Sequence, residues 1–171
     1  MNLFLIGYRC TGKTSVGMAL ARRLEWSFVD TDRMVVEAAG VGISRMVEMN
    51  GWSFFRRQEH LALKKAASRD RRVVGTGGGI VLDDRNIALM RQSGKTVWLT
   101  ASERTIAERM QKDRKSGDSR PALTGLGPIA EIRAVLAERR PRYAEAADLA
   151  VDTDRSSITD VCERIAAEFG I

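Results

Sequence analysis

Residues Gly7-Tyr8-Arg9-Cys10-Thr11-Gly12-Lys13-Thr14 carry the most specific chemistry in the chain. They have the spacing G-x4-G-K-[ST] of a P-loop. Without Cβ atoms at Gly7 and Gly12, the backbone can turn its N–H groups toward one point. With a helix N-terminus behind them, such donors favour phosphate oxygens. Lys13 adds a cation at the β/γ end of a nucleoside triphosphate, and the Thr14 hydroxyl is a ligand for Mg²⁺. The candidate ATP-binding segment is therefore Cys10, Thr11, Gly12, Lys13, Thr14 and Ser15.

That loop needs a strand before it and a helix after it. The apolar run 2–6 supplies the first, and 13–24 has a helical pattern. Further strand-like runs fall at 26–30, 72–76, 95–100 and 148–152. Helical patterns fill 31–39, 44–50, 53–68, 84–93, 102–111, 128–145 and 157–169. Ser102 is placed to cap its helix, and Ser157-Ile158-Thr159-Asp160 has capping-box spacing. Strands alternating with helices predict an α/β fold, a parallel sheet covered on both faces. Ligands of such sheets sit beyond the carboxyl ends of the strands.

Other residues fall at those ends. Asp30-Thr31-Asp32 follows the second strand. One carboxylate could serve the water shell of Mg²⁺ and the other a hydroxyl nucleophile. A plain helix N-cap with an acidic first turn is the competing reading. Thr76-Gly77-Gly78-Gly79 follows the third strand and exposes backbone N–H groups. Arg56 and Glu59 are three apart and can pair on one helix face. On spacing alone they read as a surface ion pair. Arg139-Arg140-Pro141-Arg142-Tyr143 reads, by itself, as a solvated basic face with a proline kink.

The 171 residues predict a single domain, 1–171, with a real core. No apolar run reaches spanning length, and the chain opens on a strand instead of a signal-like segment. Both points predict a cytoplasmic protein with no membrane partner. The two cysteines, Cys10 and Cys162, and the lone His60 form no zinc or disulfide pattern. The net charge of +6 points to anionic partners, but the arginines are dispersed. No nucleic-acid recognition element stands out, so small anions are expected in place of nucleic acid. The stretch 112–127 is polar, rich in Gly and Arg, and flanked by helices. A loop of that length in a compact domain predicts a lid, placed at about 112–125.

Taken in order over nearly the whole chain, these motifs resemble the shikimate kinase family: the P-loop, Asp-Thr-Asp, Phe55-Arg56-x-x-Glu59, Gly77-Gly78-Gly79, Arg120-Pro121 and Arg139-x-Pro141-x-Tyr143 before Ala147-Asp148. The resemblance implies a three-layer P-loop kinase fold with a five-stranded parallel sheet of order 2-3-1-4-5. It implies transfer of the ATP γ-phosphoryl to the 3-hydroxyl of shikimate, with Mg²⁺, by a protein that is usually monomeric. It implies a substrate-binding region at about 31–60, with Asp32 on the shikimate hydroxyls. Arg56, Arg139 and the Gly78–Gly79 backbone would hold the carboxylate, with Ile43, Val47 and Phe55 as an apolar wall. Thr14 would ligate Mg²⁺ directly and Asp30 through water. Lys13, Asp32 and Arg120 would be catalytic, Arg120 reaching the phosphates from the lid, and Arg155 would lie near adenine.

A gluconate-type kinase would share the P-loop and the size, but not the pairing of Phe-Arg-x-x-Glu with three glycines. A regulatory GTPase would carry Asn-Lys-x-Asp, which does not occur. The lid assignment is directly testable. Pro121 restricts Arg120 to extended backbone, which limits where its side chain can aim. Arg120→Ala is expected to lower kcat by at least ~10², since arginines on a transferring phosphoryl group contribute about 10³–10⁵. Shikimate Kd should change little, because other arginines are assigned to the carboxylate. Steady-state kinetics with a separate Kd measurement decide it. A raised Kd at unchanged kcat would move Arg120 into the acceptor site.

Overall fold

The structure is a computed structural model that describes residues 1–113 and 127–171 (for Pro128, the backbone alone). Five parallel strands form one sheet: β1 (Asn2–Ile6), β2 (Ser27–Asp30), β3 (Arg72–Gly75), β4 (Gly94–Thr100) and β5 (Leu149–Asp152). Their spatial order is β2-β3-β1-β4-β5, as the family resemblance implied. β1 lies in the centre, with Phe4 opposite Val74 on one side and Thr96 on the other.

Helices cover both faces, and the strand alternation shows why. In β1, Leu3 and Leu5 join a core with α1 (Lys13–Leu24) and α7 (Ile158–Phe169), through Val16, Leu20, Val161 and Ile165. Phe4 and Ile6 point the other way. They pack with Leu63 of α3 (Ile43–Ala67), Met90 of α4 (Asp84–Ser93) and Tyr143 of α6 (Pro128–Ala146). Every residue of β1 is buried, as a central parallel strand requires. Two smaller clusters complete the molecule. One joins Ile106 of α5 (Glu103–Asp113) to Ile132, Val135 and Leu136 of α6. The other joins Val35 of α2 (Thr31–Ala39) to Met46 and Phe55 of α3.

Element boundaries follow the sequence pattern to within a residue or two. The expected helices at 44–50 and 53–68 run together as α3 but are broken at Gly51, whose φ of 78° and ψ of 168° are not helical. A short 3₁₀ turn, Ile80–Leu82, follows the three glycines and was not evident in the sequence. Ser102 caps α5 through Thr105 N–H, and the Ser157–Asp160 capping box is complete. Pro141 lies inside α6. Arg120, and all of the 112–125 segment beyond its first two residues, lie outside the described residues.

Helix α1 must lie close to the sheet for the P-loop to reach over the β1 end, and Gly17 permits this. A Cβ there would fall 2.4 Å from the Phe28 ring and 3.2 Å from Leu5. The same ring rests on Gly75, so Phe28 fills the space between α1 and β3. Gly17→Ala should therefore destabilise by about 1–3 kcal/mol through overpacking, despite the better helix propensity of Ala. Phe28→Leu in the same chain should recover part of the loss. Denaturant midpoints of the three variants check this, and a Gly17→Ala chain as stable as wild type would refute it.

Candidate functional site

The carboxyl ends of β1, β2 and β3 converge on one cleft, where the sequence predicted ligands to sit. The P-loop leaves β1 at Gly7, whose φ is 140°. A Cβ at Gly7 would lie 2.4 Å from the Leu99 carbonyl, so the loop passes directly over β4. Gly12, in the left-handed region with φ 93°, starts α1 without a side-chain cap. The first-turn N–H groups are thus left to a ligand or water. Thr14 and Ser15 are exposed there, while Thr11 is buried and donates to the Tyr8 carbonyl at 2.8 Å. Lys13 folds back onto the loop, donating to Gly7 O at 2.8 Å and Tyr8 O at 2.6 Å. Cys10 adopts a φ of 61°, and its thiol faces the Asp113 carboxylate at 3.6 Å.

Asp30 divides its two oxygens between the start of α2 and the P-loop. Its Oδ1 caps α2, accepting from Asp32 N–H at 3.0 Å and Arg33 N–H at 3.2 Å. Its Oδ2 lies 3.4 Å from Thr14 Oγ1. Two hard oxygen donors therefore stand together at the helix start. Among the described residues no group of three or more His, Cys, Asp or Glu could hold a metal alone. This donor set fits Mg²⁺, which keeps several waters and shares phosphate ligands.

Beside the P-loop lies a cavity lined by Tyr8, Arg9, Asp32, Trp52, Arg56 and Glu59, with Ile43, Phe55, Gly77, Gly78, Gly79 and Arg139 completing it. Arg56 and Glu59 are paired at 2.6 Å, as the spacing predicted, but they are not a surface pair: Glu59 is 1% exposed. The Arg56 guanidinium also lies over the rings of Trp52 and Phe55, 5.4 and 5.3 Å from their centroids. Arg139 is not on a solvated face either. It is 6% exposed and donates to the Gly78 carbonyl at 3.1 Å. The glycines are needed for this closeness. A Cβ at Gly77 would meet Glu59 Oε1 at 2.4 Å and Asp32 Oδ1 at 2.6 Å, and one at Gly79 would meet Arg56 Nη1 at 2.2 Å. The bonds of the following turn use the N–H groups of Ile80 and Leu82, not those of Gly78 and Gly79.

Several residues of the site had no sequence signal of their own. Tyr8 and Arg9 occupy variable P-loop positions, yet both line the cavity; Arg9 pairs with the buried Glu131 of α6. Trp52 joins the apolar wall with Ile43 and Phe55, whereas Val47 packs into the cluster around Met46. Arg109 of α5 donates to Cys10 O at 3.2 Å and to Thr153 O at 2.7 Å, tying the P-loop to the segment after β5. Arg155, in that same segment, is exposed.

Burial pushes the Glu59 carboxyl up to about 7, against the pull of Arg56, and the nearby Asp32 charge adds to the rise. The folded chain thus holds this proton more tightly than the unfolded chain, whose value is near 4.5. Stability tied to Glu59 is full below pH 4.5 and is lost as pH rises to about 7. Its size is on the order of 3 kcal/mol. Glu59→Gln cannot titrate, so the stability difference between wild type and variant should shift across that window in the variant's favour. Urea unfolding of both chains at several pH values measures this difference, in which other titrations cancel. A pH-independent difference would mean that Glu59 ionises normally in the folded chain.

The comparisons with known proteins agree with this geometry. The family model "Shikimate kinase" matches residues 9–169. The shikimate kinase of Nitratidesulfovibrio vulgaris is 48% identical over 85% of this chain and 83% of its own. That of Oleidesulfovibrio alaskensis is 46% identical over 99% of this chain and 93% of its own. Among solved structures, the Acinetobacter baumannii shikimate kinase in complex with shikimate superposes with a TM-score of 0.90 at 30% identity, covering 98% of this chain and 92% of that one. With the family model spanning nearly its whole length, the chain belongs to the shikimate kinase family.

Proposed function

We propose that the protein transfers the γ-phosphoryl group of ATP to the 3-hydroxyl of shikimate, giving shikimate 3-phosphate and ADP on the route to chorismate and the aromatic amino acids. The observation that carries this is the cavity beside the P-loop. The buried Arg139, the partly buried Arg56 and two buried carboxylates share it with a glycine turn. A small acceptor with one carboxylate and several hydroxyls matches that inventory.

The geometry supports the assignments within the cleft, and the family resemblance supplies those of Arg120 and Arg155. Arg56 offers a planar fork to the shikimate carboxylate, with Glu59 and two aromatic rings fixing its plane. Arg139 and the Gly78–Gly79 backbone complete that anion site. Asp32, 9% exposed, faces the hydroxyls and takes the proton of the attacking oxygen. Lys13 exchanges its two loop carbonyls for phosphate oxygens, which brings its charge onto the transferring group. Cys10, Thr11, Gly12, Thr14 and Ser15 line the phosphate side. Thr14 would hold Mg²⁺ directly and Asp30 through water; the ion neutralises phosphate charge when bound. Arg120 is assigned to the phosphates and Arg155 to the adenine side. Holding donor and acceptor in one enclosed cleft is the main catalytic device, because phosphoryl transfer depends chiefly on position and charge.

Among the described residues no helix is long and apolar enough to cross a membrane. A cytoplasmic, monomeric enzyme without a nucleic-acid or membrane partner completes the proposal.

The discriminating experiment is an ADP-release assay with shikimate, gluconate and nucleoside monophosphates side by side. Turnover is expected with shikimate alone, and turnover with another acceptor alone would overturn the proposal. In the same assay, Arg56→Lys should lose about 2–5 kcal/mol in kcat/KM for shikimate, since an ammonium cannot reproduce the bidentate fork. Its KM for ATP should stay near the wild-type value. Unchanged shikimate kinetics would remove Arg56 from the carboxylate site.

A further inference from the structure

The Gly78 carbonyl receives two donors from α6. Arg139 Nη1 donates to it at 3.1 Å, and the Tyr143 hydroxyl donates to it as well. A carbonyl oxygen has two lone pairs, so both donors are accommodated. They differ in their other commitments. Tyr143 is 0% exposed, and its ring stacks on Trp98 at 5.7 Å with 24° between the planes. Burial pushes its phenol up to about 12, so the hydroxyl keeps its proton and remains a donor. Arg139 lines the cavity and is incompletely used. Its Nε is buried without a hydrogen-bond partner among the described residues.

We infer that Tyr143 is a positioning residue for the acceptor's carboxylate: it holds the Gly78 carbonyl so that Arg139 can leave that oxygen for the substrate. This rests on the assignment of Arg139 to the shikimate carboxylate. An arginine that was the sole donor to Gly78 would orphan the carbonyl on turning away, and a filled cavity leaves little room for water to replace it. With Tyr143 present, the carbonyl keeps one bond throughout. The cation is then held in place without being used up. Arg142 performs the purely structural version of this capping. Its Nε donates to the Val81 carbonyl at 3.1 Å, and it also pairs with Asp84 and Glu145.

Tyr143→Phe removes the hydroxyl and keeps the ring on Trp98, so the fold is preserved. Kinetics for shikimate and ATP are measured in this variant, in Arg139→Ala, in the double variant and in Arg142→Met, with melting curves for each. Tyr143→Phe should raise the shikimate KM on the order of 10-fold, with kcat within about 3-fold of wild type and the ATP KM unchanged. In the Arg139→Ala background the same change should add less than about 2-fold, because no guanidinium then has to leave the Gly78 oxygen. Arg142→Met should lower the melting temperature and leave the shikimate KM near wild type. A Tyr143→Phe enzyme with unchanged shikimate KM overturns the inference. So does a rise that persists in full without Arg139, which would make Tyr143 a structural support only. A wild-type protein that fails to phosphorylate shikimate would instead defeat the proposed function, so the two failures are distinct.

Discussion

Glu59 is almost fully enclosed, and an enclosed carboxylate can be ionised only with a cation held against it. Much of the cavity answers to that requirement. Arg56 supplies the charge from one turn earlier on the same helix. A guanidinium suits the position better than an ammonium, being weakly hydrated and able to lie on the faces of Trp52 and Phe55. The pair must then sit against backbone, and Gly77 and Gly79 are where it does so. The glycine turn is a floor whose missing side chains let Glu59, Asp32 and Arg56 stand close together. The same turn leaves the Gly78 carbonyl facing α6, where Arg139 and Tyr143 donate to it, and Arg142 donates to the Val81 carbonyl just beyond.

The sheet order brings these parts together without a long connection. β1 and β3 are neighbours, so the P-loop and the glycine turn leave the sheet side by side. β2 lies beyond β3 and delivers Asp30 and Asp32 from the far side. Asp30 shows how little is spent at such an end. One oxygen terminates the backbone of α2, and the other remains beside Thr14.

The P-loop and the five strands were legible because each rests on a local pattern, a fixed glycine spacing or an apolar run alternating with helices, whereas the sheet order came only with the family resemblance. The character of Arg56, Glu59 and Arg139 was less accessible. Three-residue spacing predicts that Arg56 and Glu59 meet, but it says nothing about what covers them. Their burial comes from the glycine turn, about twenty residues further along. Arg139 looked like part of a charge run because Arg140 and Arg142 flank it. Helical rotation turns Arg139 inward and leaves Arg140 exposed. Tyr8, Arg9 and Trp52 could not be found from spacing, since a P-loop tolerates any residue at two of these positions and the third belongs to no spacing pattern. Only the folded chain sets all three against one cavity.

The break at Gly51 has a geometric result for that cavity. In an unbroken helix each residue turns about 100°, so Ile43 and Phe55, twelve positions apart, would face directions about 120° away from each other. Both nevertheless line the same space. Gly51 resets the angular phase. With φ at 78°, and open space where a Cβ would stand, it spends a backbone conformation instead of a packing contact to do so. This side of the cavity is thus built from two helical segments whose rotations are set independently, the same two that the sequence pattern separates.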